Sequence, residues 1–161
     1  MTDINETGLD TSCQGRYSER RGTCRALHSW LEHYTAGSVP LTSAVSIADD
    51  FPDMCDNMFL LKLVFDPLKY TFVYSGPNVD AFCGRETLGK CASETLPEGI
   101  LERFPYATRA MREFKHPISI NESLFFNGQY ILCRLMLMPL SEGGDGIDHI
   151  LGALTYRVDE E

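Results

Sequence analysis

The chain has 161 residues and is 43% hydrophobic, enough for one core and a single domain with flanking segments. Its 14 Lys and Arg against 23 Asp and Glu leave a formal charge of −9. That balance excludes a general phosphate-backbone binder, since such binding is driven by cations.

No apolar run approaches the roughly 20 residues needed to cross a bilayer. The polar, acidic start MTDINETGLDTS lacks the basic and apolar regions of a secretory signal. A cytoplasmic protein is expected, and with it free thiols for Cys13, Cys24, Cys55, Cys83, Cys91 and Cys133. Residues 1–22 hold few large apolar side chains and read as a disordered tail. Within and beside it, Arg16, Arg20, Arg21 and Arg25 read as a solvated basic run before the first helix.

A helical segment follows over 23–40. Thr23 can cap it, and Leu27, Trp30, Leu31 and Tyr34 fall at i, i+3, i+4 and i+7, one apolar stripe. Gly37 and Pro40 stop it. The stripe can lie on the chain's own sheet or on a second subunit. The core domain spans 41–158. Met58–Phe65 reads as a strand with Phe59, Leu61, Leu63 and Phe65 inward, and Tyr70–Ser75 returns beside it after the Asp66-Pro67 turn. One or two single-turn helices suit residues 78–97.

Thr95 and Glu98 form a possible capping box for an amphipathic helix carrying Ile100, Phe104, Ala107, Met111 and Phe114. Pro105 should kink or restart that helix. Strands at Ile118–Phe126, Tyr130–Leu140 and His149–Arg157 complete the chain, the first two joined by the Asn127-Gly128 hairpin turn. Alternation sends Ile131, Cys133, Leu135 and Leu137 to one face and Leu132, Arg134, Met136 and Met138 to the other. Two hairpins around a helical crossover give an α+β fold: a five-stranded antiparallel sheet with helices on one face.

The phrases LHSWLEHYTAGSVP, MFLLKLVF, YTFVYSG, CGRETLGK, EFKHPIS and MPLSEGGDGIDHILGAL, in this order and spacing, resemble a PAS domain. The likeness is to the small stand-alone PAS proteins common in alphaproteobacteria, and it covers roughly Leu27 to Tyr156. It implies a sheet order of 2-1-5-4-3, a sensing or protein–protein signalling role, and a homodimer through the N-terminal helix. Haem or flavin would be the alternative ligands of such a domain.

Specific chemistry is thinly represented. In a LOV-type flavin photosensor the reactive cysteine sits in a phrase like G-R-N-C-R-F. Here the stretch is Leu88-Gly89-Lys90-Cys91-Ala92-Ser93, with Cys91 one position early, and one residue turns a helical side chain by about 100°. Among His28, His33, His116 and His149 no pair has metal-ligand spacing. His116, ending the long helix, is the haem-ligand candidate, against a simpler role at the helix dipole. Cys83, beside Arg85, is the thiol expected to have a lowered pKa, whereas Cys133 belongs to an apolar strand. The pairs Asp49-Asp50 and Glu160-Glu161 read as solvated charges.

What remains is an apolar space between sheet and helices. Phe59, Leu61, Phe72, Tyr74, Phe82, Phe104, Met111, Ile131, Cys133 and Leu135 are its candidate ligand-pocket lining, with packed side chains as the competing reading. Tyr74, Tyr130 and Arg134 are the polar groups that could orient a ligand there, although Arg134, charged among apolar neighbours, is expected to point outward. Leu27, Trp30, Leu31, Tyr34, Met136 and Met138 are the candidate dimer interface. The sequence thus supports a non-catalytic signalling module with a protein partner, biased by a small apolar ligand, without nucleic-acid, membrane or metal binding.

Overall fold

The computed structural model describes residues 18–35, 37–144 and 146–158, with only the backbone of 18–21. The tail expected over 1–22 therefore lies mostly outside the described residues, as do Arg16 and the Glu160-Glu161 pair. Helix α1 (Ser18–Leu31) begins five residues before the anticipated Thr23 cap, and Thr23 lies buried within it. Gly22 brings the helix close to the domain: a β-carbon there would come within 2.8 Å of Met54 Sδ, and the flexible thioether would have to shift to admit it.

The described residues form a five-stranded antiparallel sheet from β1 (Met58–Val64), β2 (Lys69–Ser75), β3 (Ile118–Phe126), β4 (Gln129–Leu140) and β5 (His149–Val158). Its order is β2-β1-β5-β4-β3, the order the PAS resemblance implies. The last hairpin is the centre: β5 pairs with β4 over Ile131↔Val158 to Leu140↔His149 and with β1 over Met58↔Ala153 to Lys62↔His149. The inner face is covered by α3 (Pro77–Cys83), α4 (Glu98–Leu101) and α5 (Phe104–Phe114). The outer face is covered by α1.

The proline at 105 restarts the helix rather than kinking it. α4 ends at Leu101, and α5 opens with Pro105 in its first turn, where its missing N–H costs no intrahelical bond. The Thr95–Glu98 capping box does not form. Thr95 Oγ1 instead donates to the carbonyls of Cys91 and Ala92, while the reciprocal box joins Cys91 and Glu94 at the preceding 3-10 turn. The linker carries a short helix α2 (Ile47–Asp50), which the sequence does not announce. Ser46 Oγ accepts from Asp49 N, Asp50 Oδ2 accepts from Ser46 N, and Asp50 pairs with His33 at 3.2 Å. Asp50 thus ties the end of α1 to α2 and is no free solvated charge.

One irregularity reassigns a residue. Leu60 pairs with Tyr74 but Leu61 pairs with Phe72, so Val73 is an extra residue in β2. Such a bulge reverses the facing of every residue beyond it. Phe72 and Tyr70 point into the inner cluster, whereas Tyr74 packs with Leu60 in the outer one.

Candidate functional site

The expected pocket residues divide on this geometry. Phe59, Leu61, Phe72, Phe82, Phe104, Met111, Ile131, Cys133 and Leu135 lie in one inner cluster. Tyr74 does not; its hydroxyl donates to Cys55 O on the other side, at 3.0 Å. Neither other orienting group faces inward. Tyr130 is 61% exposed and meets Phe125 with tilted rings at the β3–β4 tip, and Arg134 Nη1 donates to Asn121 Oδ1 at 2.8 Å.

The inner cluster is filled by its own side chains. Phe59 meets Phe72 at 5.6 Å between centroids, and Tyr70 stands edge-on to Phe104 at 5.2 Å. Phe82 contacts both Phe126 and Tyr156. The Phe59 ring rests directly on the backbone of Gly152, where a β-carbon would come 2.1 Å from Phe59 Cζ. A flat cofactor stacked on the sheet would have to take that position, and Phe59 is fully buried in it. The inner face as packed therefore does not fit haem or flavin. His116 is exposed past the end of α5, away from any axial position, and Cys91 is occupied in capping the 3-10 turn. Phe65, expected inward, lies beyond the end of β1 and is 40% exposed.

Cys83 reverses the sequence expectation. Burial pushes its thiol up to about 12, Asp80 adds to the rise, and the opposing effect of Arg85 is smaller. The Arg85 guanidinium donates to Glu94 O at 3.0 Å. Cys133 is likewise pushed up to about 11 by burial and then by Glu122. Both thiols are held protonated in the fold while the unfolded chain ionises near its ordinary value. Their contribution to stability is thus complete below about pH 8.5 and is lost as pH rises toward about 11 to 12. With iodoacetamide at pH 8, Cys83 and Cys133 are expected to label far more slowly than the less buried Cys24, Cys55 and Cys91. Mass spectrometry of timed samples reads this, and equal rates would refute the burial.

The outer face is where the candidate dimer residues meet. Trp30 is 1% exposed, its Nε1 donates to Pro139 O at 3.0 Å, and Tyr34 stacks on it at 5.1 Å. Ala26, Phe51, Met54, Met58, Met136, Met138, Leu140, Leu151 and Ala153 complete the buried cluster, with Leu27 and Tyr34 half-buried at its edge. Trp30, Met136 and Met138, expected at a dimer interface, are covered within one chain by the packing of α1 on the sheet. Leu31, 40% exposed, is the interface candidate left open on α1.

Two further features were not foreseen. Glu142, Asp148 and His149 bring ligand-type atoms within 4.8 Å of one another. Asp148 Oδ1 there accepts from Glu142 N at 2.9 Å and joins His149 Nδ1 at 2.7 Å, so hydrogen bonding accounts for the grouping. Beside it, an open cleft of about 1110 Å³ runs between the 33–44 linker, the β4–β5 loop and the end of α5. Its walls come from four segments far apart in the chain, Phe65 after β1 being the fourth, and no local motif could announce it.

No family model matches the chain, and no curated protein is similar to it. Among solved structures, a fungal LOV domain photoreceptor is similar at a TM-score of 0.42 and 14% identity, over 62% of this chain and 74% of that one. Among the described residues no helix is long and apolar enough to cross a membrane.

Proposed function

We propose that this chain is a non-catalytic sensory module of the PAS type that signals through protein contacts, with α1 as its displaceable element. The observation that carries this reading is the cover α1 makes over an apolar sheet face. Ala26 and Trp30 of α1, with Phe51 and Met54 of the linker, share this face with Met58, Met136 and Met138. Methionine-rich faces adapt to different partners, because the unbranched thioether repacks at little cost. A partner helix, or α1 of a second copy, can occupy the same face when α1 leaves it. A small apolar ligand on the inner face would act only by displacing rings such as Phe59 or Phe72.

Leu31 tests the contact part without disturbing the cover, since it already faces outward. Sedimentation equilibrium is expected to find a dimer for the native chain and a monomer for Leu31→Asp, with unchanged Trp30 fluorescence. A native chain that sediments as a monomer, or a dimer indifferent to Leu31→Asp, removes the homodimer from this reading.

A further inference from the structure

We propose that the cleft beside α5 binds a small organic anion, with an apolar body and a terminal carboxylate or phosphate. The site is separate from the outer face and does not depend on the signalling role. Its cations are Arg112 and Lys115, neither of which has an ion-pair partner among the described residues. In a chain of net charge −9, two cations lining one cleft are a local exception to the overall field. Arg112 is also held in place. Its guanidinium lies over the Phe65 ring at 4.7 Å, a cation–π contact that restrains the side chain while its N–H donors remain able to meet an acceptor.

Lys115 supplies the second argument. It ends α5 in the left-handed region, at φ 59°, where glycine is the usual occupant. A side chain at this position works against backbone preference, and here it belongs to a residue that lines the cleft. The apolar part of the wall comes from Val39, Phe65 and Ile147. The acidic group on the wall, Asp148, is engaged by Glu142 N and His149 Nδ1. Asp145 of the same loop lies outside the described residues.

Titration of the labelled chain with 1-naphthyl phosphate, 1-naphthoate and neutral 1-naphthol, followed by amide NMR, tests the proposal. The two anions should move the Gly37, Gly143 and Gly144 amides, and the tighter of them identifies the headgroup. Naphthol should bind about two- to fivefold more weakly, as should either anion to Arg112→Gln or Lys115→Gly. Lys115→Gly should melt no lower than the native chain, because glycine relieves the left-handed position; that separates lost binding from lost folding. Lys90→Gln, an exposed cation outside the cleft, should leave affinity unchanged. The proposal is overturned if the anions move no cleft amide or naphthol binds as well as they do. It is equally overturned if Arg112→Gln retains full affinity or Lys90→Gln weakens binding as much.

Discussion

Gly152→Ala is expected to destabilise the chain by about 3 kcal/mol, at the upper end of what overpacking costs. The added methyl would lie 2.1, 2.4 and 2.5 Å from Cζ, Cε2 and Cε1 of Phe59. Three ring atoms cannot give way together unless the ring leaves its position. Phe59 and Phe72 are both fully buried, and Gly152 sits in the central strand, paired with Phe59 on one side and Leu137 on the other. Urea denaturation of the single variant gives the size of the effect. Phe59→Ala alone should cost about 3 to 5 kcal/mol, and combining the two should cost clearly less than their sum, since the new methyl enters the space the ring leaves. Additive losses would mean the ring and the glycine do not touch.

Trp30→Ala is expected to be at least as severe, about 3 to 5 kcal/mol for the lost indole. Pro139 O would lose its indole donor as well. Trp30→Phe separates the parts: it keeps most of the packing and gives up a hydrogen bond worth about 1 kcal/mol. Far-UV circular dichroism should follow both, because Trp30 is the only tryptophan in the chain and its removal silences fluorescence. The same pair distinguishes a cover within one chain from a contact between two. If Trp30 belonged to a subunit interface, its loss would change the sedimentation coefficient and spare the stability of the monomer. The magnitude also limits the signalling mechanism: whatever displaces α1 must offer the outer face an apolar surface of comparable worth.

The strands were readable because their side chains alternate. Ile131, Cys133, Leu135 and Leu137 lie in the inner cluster and Met136 and Met138 in the outer, and that division needs only a period of two. The strand order came from resemblance, as periodicity holds no information on which hairpin sits beside which. Tyr74 was misplaced because the bulge at Val73 depends on how β2 meets β1, a relation between strands that neither segment carries alone. Cys83 was misjudged for a similar reason. Its neighbour in sequence, Arg85, was visible, but the burial that dominates its ionisation comes from the packed inner face. Residue lists for the interior were readable as apolar positions; whether they enclose space or fill it depends on rings meeting across the sheet.

The placement of β5 between β1 and β4 has a consequence for how the chain is made. Synthesis runs from the N-terminus, so β1 and β2 emerge first and form a hairpin whose inner neighbour does not yet exist. β3 and β4 follow as a second hairpin with the same deficiency. Only when His149–Val158 leaves the ribosome can the two halves be joined, over a separation of some ninety residues between Phe59 and Gly152. Until then each half carries an open edge and an uncovered apolar face, the condition in which strands recruit the wrong partners. The domain is closed by its last strand, and a nascent chain halted before that strand would be the form most in need of a chaperone.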